Sequence, residues 1–316
     1  MGQKEMRTVY YETLVELAQA DERIMVVEAD LMKATGTTAF GEHFPGRAVD
    51  VGVAEANLVG VSAGLSAAGK IPFAATFGCF ASRRAYDQFF LSSNYAHLPV
   101  KLVGTDPGIS AAFNGGTHMP FEDIGLMRMI PSLVIFEPSD PISLKALVKA
   151  SAAHQGSTYM RLHRKAINPI YAEGEQFDLG KGKVLADGSD ITIIATGSIL
   201  VPEALKAREL LKKDGWDAAV IDMHTIKPID EDLIIQYAKK TGRIVTAENH
   251  QVAGGLGAAV ALTLAKHYPT PLAYVGIKDE FGQVGTQNWL QDHYKLTAEE
   301  IVLQAKQLLS SKEQKS

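Results

Sequence analysis

The chain has 316 residues. At roughly 150 residues per domain this predicts two domains, each long enough to bury its own core. Lys and Arg number 31 against 36 Asp and Glu, a net charge of −5, which argues against a protein built mainly to neutralise nucleic-acid phosphates. The single cysteine, Cys79, excludes an intramolecular disulfide, argues against a Cys-built metal site and suits a reducing compartment.

The N-terminal MGQKEMRTVYYETL lacks the apolar middle of a signal peptide, and Met6 stands where a myristoylation signal wants Ser or Thr. The most apolar stretch, 54–68, is interrupted by Glu55, Asn57 and several Gly and Ser residues and is too short to span a bilayer. No membrane partner and a cytoplasmic location are expected.

Strand-length apolar runs alternate with helical segments from the start. Strands are predicted at Arg23–Ala29, Arg47–Val51, Pro72–Thr76, Val100–Thr105, Ser132–Phe136 and Thr158–Leu162. Between them lie helices at Glu55–Ala68, Ala81–Ser93, Glu122–Ile130 and Ile142–His154. Continuous apolar strands joined by helices imply a parallel sheet covered on both faces. Residues 166–182, with Asn168, Pro169, Gly174, Gly180 and Gly182, lose helical periodicity and read as a linker. The alternation then resumes. Strands are predicted at Asp190–Ala195, Ala218–Ile221, Arg243–Ala247 and Leu272–Ile277. Helices are predicted at Leu200–Asp214, Asp230–Thr241, Leu256–His267 and Thr297–Leu309. Thr297 and Glu300 have capping-box spacing, and the tail from Ser310 is expected to fray. The expected fold is α/β with two domains, 1–165 and 183–316, each a mostly parallel sheet covered by helices.

Sites in open α/β sheets form at the carboxyl ends of strands. Five segments there carry unusual residues: Glu28–Leu31 (EADL), Gly52–Asn57 with Glu55 opening a helix, Thr76–Ala81 with Phe77 and Phe80, Gly104–His118, and Arg161–Lys165. Taken singly, each has an ordinary structural explanation. Glu55 suits a helix N-terminal dipole, Phe77 and Phe80 suit a core, and Asn114-Gly-Gly suits a turn. No G-x-G-x-x-G follows a strand, no G-x-x-x-x-G-K-[ST] occurs, and no metal-ligand spacing is found.

The order of the motifs is far more specific than any one of them. EADL, GVAEANLVGVSAGL, PFAATFGCF, the DPGIS…NGGTHMPFEDIGLMR block and EPSD together resemble the pyrimidine-binding domain of the transketolase family. KGKV, ITIIATGS, VIDMHTIKPID and AENHQVAGGLGAAV resemble that family's C-terminal domain. The sequence has no Gly-Asp-Gly, the mark of the family's diphosphate-binding first domain, so it resembles the C-terminal subunit of a split transketolase.

The resemblance implies thiamine diphosphate as cofactor. It implies Mg2+ held by an N-terminal partner subunit, two copies of each subunit, and ketol transfer between sugar phosphates. It places Glu55 against N1′ of the aminopyrimidine, where a carboxyl group shares a proton, and Phe77 and Phe80 against the ring. Asp30 matches an acid near the cofactor's centre. His118 matches a histidine that bonds the sugar, and Arg7 and Arg164 match arginines that hold a terminal phosphate. The substrate side departs from the family pattern. Asn114 replaces an aspartate that reads hydroxyl stereochemistry, Asp106 replaces a common histidine, and Ala34 replaces a phosphate-binding serine. A branched or sulfonated donor is therefore an alternative to xylulose 5-phosphate. The beta subunit of a thiamine-dependent 2-oxo acid dehydrogenase is a second reading, and a non-catalytic partner subunit is a third.

Overall fold

The computed structural model describes residues 4–310. The first sheet contains β1 (Ile24–Glu28), β2 (Ala48–Asp50), β3 (Ile71–Phe77), β4 (Lys101–Thr105), β5 (Val134–Phe136) and β6 (Thr158–Leu162). The second domain supplies β7 (Lys183–Ala186), β8 (Ile191–Ala195), β9 (Ala218–Asp222), β10 (Thr225–Lys227), β11 (Ile244–Gln251) and β12 (Leu272–Ile277). The strand orders are β10-β5-β6-β4-β3-β1-β2 and β12-β11-β8-β9-β7. All pairings are parallel except those of the edge strands β10 and β7. The predicted α/β class is the observed one.

Every residue of β1, β4, β6, β8 and β9 is buried, which is why their sequences are apolar runs without alternation. Successive side chains still face opposite ways. Val26 packs with Met6, Tyr10 and Leu14 on one face of the first sheet, while Val27 packs with Leu58 and Val59 on the other.

Several elements were not foreseen, among them the short helices Met32–Thr35 and Phe40–His43. Helix Met6–Ala20 buries Met6, Val9, Tyr10, Leu14 and Ala18, a helical spacing present in the sequence. Strands β7 and β10 and helix Gln287–His293 are short. The expected helix Ala81–Ser93 is divided into Phe80–Arg84, Tyr86–Gln88 and Phe89–Tyr95, the first and last with wide π-type turns. At Thr297 the hydroxyl accepts from the Glu300 N–H at 3.3 Å, one half of the expected capping box. The tail expected to fray lies, beyond Ser310, outside the described residues.

The two domains are closely joined. β10 crosses the expected boundary and extends the first sheet through β5, with Thr225 opposite Phe136. The expected linker packs along the first domain. Phe177 enters that domain's core, Asp140 accepts from the Ile170 and Tyr171 N–H groups, and Tyr171 donates to Asp222 at 2.7 Å. Ile109, Ala111, Met119 and Phe121, in the segment after β4, pack into one apolar cluster with residues of the second domain. No helix of the described residues is long and apolar enough to cross a membrane.

Candidate active site

The carboxyl ends of β1, β3, β4 and β6 bring most of the predicted residues onto one rim. Glu55 opens helix Glu55–Ala67 and is 2% exposed. Both its carboxylate oxygens accept from Arg84 Nη1 at 2.9 Å. The Arg84 guanidinium lies 4.2 Å from the centre of the Phe80 ring, a stacking distance. Phe77, Phe80 and His118 form an aromatic cluster in which each ring meets the next nearly edge-on, with centroids 5.2–6.0 Å apart. The wide turn at Phe80–Arg84 follows β3 directly and carries Phe80, Arg83 and Arg84 in this region.

Arg164 links that cluster to a second one. Its guanidinium is 5.6 Å from the Phe77 ring centre, and its Nη2 meets Asp106 Oδ2 at 2.7 Å. Burial pushes the Asp106 carboxyl up, against the opposing pull of Arg164. Arg7 donates to Glu5 Oε2 at 2.6 Å. Arg7, Arg164, Asp106 and Asn114 line one pocket of about 310 Å³, bordered by Phe113, which is 72% exposed. Asp30, with φ of +59°, lies in an adjoining open pocket with Arg7, Lys33 and Ala34.

Several supporting residues were missed. Asp50 Oδ1 accepts from the N–H groups of Asp30 and Gly52, both at 2.9 Å, and so ties the β1 loop to the loop leading to Glu55. Arg83 donates to the Thr117 carbonyl at 2.9 Å, beside His118, whose Nδ1 pairs with the Thr117 hydroxyl. Glu28 accepts from the hydroxyls of Thr35 and Thr37 at 2.7 Å each, and burial drives its carboxyl up to about 8. Nothing in the sequence marks the longer-range pairs Asp50–Asp30 and Arg83–Thr117, because each joins residues from different loops. The RR pair at 83–84 is the one local hint.

The residues fit the pyrimidine half of thiamine diphosphate. A buried carboxylate stands beside half-buried aromatic rings, which suits a flat heterocycle with a protonatable ring nitrogen.

Comparison with known proteins shows the family of the chain as a whole. Residues 2–169 match the family model "Transketolase, pyrimidine binding domain", and residues 180–301 match "Transketolase, C-terminal domain". The chain belongs to the transketolase family. It is 49% identical over 307 residues to the 6-deoxy-6-sulfo-D-fructose transketolase subunit SqwH of Clostridium sp. (strain MSTE9), covering 97% of this chain and 95% of that protein. It is 36% identical to an apulose-4-phosphate transketolase subunit of Phocaeicola vulgatus, covering 93% and 94%. A solved structure described as a split gene transketolase, an inactive beta4 tetramer, superposes with a TM-score of 0.89 at 41% identity, covering 98% of this chain and 99% of that one. These relatives do not favour the 2-oxo acid dehydrogenase reading.

Proposed function

We propose that this chain is the C-terminal subunit of a thiamine diphosphate-dependent transketolase. It works with an N-terminal subunit that carries the diphosphate and Mg2+ site, and two copies of each assemble around paired sites. The complex transfers a two-carbon ketol unit from a ketose donor to an aldose. The observation that carries this reading is the continuous strip running Glu55, Arg84, Phe80, His118, Phe77, Arg164 and Asp106. It joins a cofactor-type half-site to an anion-holding pocket.

The cofactor, when bound, supplies the means of breaking the bond next to a ketone and stabilising the fragment. The chain's own residues set geometry and protonation. Glu55 holds a proton at the pyrimidine's N1′, and Phe80 and Phe77 fix the ring plane. His118 bonds sugar oxygens, and Arg7 and Arg164 hold the far end of the donor.

The donor carries a modified end, with a sulfonate favoured. Each arginine already faces a carboxylate, Glu5 for Arg7 and Asp106 for Arg164. With Lys165 the pocket's lining has three cations against two carboxylates, a surplus of one, which suits a singly charged sulfonate better than a doubly charged phosphate. The similarity to a sulfofructose transketolase subunit supports the same choice.

Calorimetry tests the split site. The chain alone should bind thiamine diphosphate weakly, and the chain with its N-terminal subunit should bind it tightly in the presence of Mg2+. Tight, Mg2+-dependent binding by the chain alone would overturn the reading.

A further inference from the structure

We infer that Asn249, on β11 of the second domain, is a positioning residue of the donor site. Its side chain grips the turn at Gly108 from both sides. Nδ2 donates to the Pro107 carbonyl at 2.8 Å, and Oδ1 accepts from the Ile109 N–H at 3.0 Å. Asn249 is 2% exposed, and its own carbonyl accepts from Arg161 Nη2 at 2.9 Å. Arg161 is fully buried between Asp123 and Glu137, so the clamp stands on a fixed base.

The gripped turn begins the segment that presents Asp106, Asn114 and His118. Its backbone is unusual. Asp106, Gly108 and Ala112 all have φ near +50°, a region that non-glycine residues enter only under constraint. A Cβ added at Gly108 would come within 2.1 Å of Asn249 Oδ1. The Asn249 amide and the glycine are thus matched to each other. Ile109, Met119 and Phe121 of the same segment are buried among second-domain residues. The second domain therefore shapes the donor pocket without lining it at Asn249, and Asn249 is the polar tie that fixes where Asp106 sits against Arg164.

This inference rests on the proposed ketol transfer for its kinetic consequence, and its structural consequence is measured independently. Hydrogen exchange on the full chain reads amides 108–118. Asn249→Ala should speed their exchange, and Gly108→Ala should do the same from the loop side. In the reconstituted complex, both variants should lower kcat/KM for a ketose donor about 10- to 100-fold, as expected for a misplaced reading loop. They should also change the preference between sulfonate- and phosphate-ended donors severalfold. Tyr171→Phe, which removes the contact to Asp222 elsewhere between the domains, should leave the donor preference unchanged. Should Asn249→Ala fail to fold, Asn249→Asp keeps the acceptor for Ile109 but sets a carboxylate oxygen against the Pro107 carbonyl; it should shift the same readouts in the same direction. Unchanged exchange at 108–118, or a Tyr171→Phe shift as large as that of Asn249→Ala, overturns the assignment. Absence of ketol transfer in the unaltered complex counts against the proposed function, and the exchange result then decides the role of Asn249.

Discussion

Arg7 and Arg164 both donate to the carbonyl oxygen of Ala34, at 3.4 and 3.3 Å. One begins the first helix and the other follows the last strand of the first sheet, so only the fold brings them together. Two guanidiniums converging on one backbone oxygen are held at a fixed separation, and both line the pocket they share.

That convergence predicts a binding effect with little effect on chemistry. Arg7→Ala or Arg164→Ala should raise the KM of anionic donors by about 10- to 150-fold, the worth of a charged hydrogen bond at roughly 1.5–3 kcal/mol. The change in kcat should be small, the pattern of binding shared by ground and transition states. Donors without an anionic end should be nearly indifferent, and steady-state kinetics on the two donor types checks this.

The carboxylates beside those arginines predict a charge-selectivity effect. Glu5→Gln or Asp106→Asn leaves its arginine without an opposing charge. Phosphate-ended donors should then gain on sulfonate-ended ones, and the gain should shrink as salt is added, because the pocket is open to solvent. Competition between the two donors at low and high ionic strength reads both effects. A ratio that does not move would assign the carboxylates to loop structure alone.

At the cofactor half-site, Glu55→Gln keeps the shape of the side chain and loses the ability to hold and return a proton. Turnover with saturating cofactor should fall about 10²- to 10⁴-fold, the usual worth of acid–base catalysis, with circular dichroism unchanged. Near-normal turnover would make Glu55 only a helix-start acid paired with Arg84.

Glu28 predicts a dependence of stability on pH. Its carboxyl is raised from 4.5 in the unfolded chain to about 8 in the folded one. Between those values the folded chain keeps a proton that the unfolded chain has lost, so Glu28's contribution is complete below pH 4.5 and declines as pH rises to about 8. His163 and His250 act oppositely, since burial lowers each to about 4 and their contribution is complete above pH 6.5. The histidines therefore drop out in the window of about pH 6.5–8, where Asp222 and Glu248, raised to about 7 and 8, titrate beside Glu28, and comparison with Glu28→Gln separates its share. There, Tm should fall less steeply for Glu28→Gln than for the unaltered protein, by up to about 1.4 kcal/mol of stability per pH unit. Equal slopes would place the titration elsewhere, with buried Asp222 and Glu248 the other raised carboxyls.

Much of the architecture was legible because buried parallel strands have to be apolar runs, and Ile24–Glu28, Lys101–Thr105 and Ile191–Ala195 are such runs. β10 was not legible. Its three residues carry no periodicity, and their pairing with β5 is decided by the docking of the domains. The candidate site divides in the same way. Glu55, Phe80 and His118 sit in ordered motifs that a family resemblance can mark, and Arg164 sits in the segment that follows a predicted strand. Arg84, Asp50 and Asn249 act through partners 29, 20 and 142 residues away, a relationship that no local pattern records.

The central claim is most directly tested by reconstituting the chain with its N-terminal subunit and following a donor labelled with ¹³C in its first two carbons. With 6-deoxy-6-sulfofructose as donor and an aldose phosphate as acceptor, the account predicts that both labelled carbons appear together in the lengthened ketose. Label remaining in the donor while the same complex releases carbon dioxide from a 2-oxo acid would contradict it.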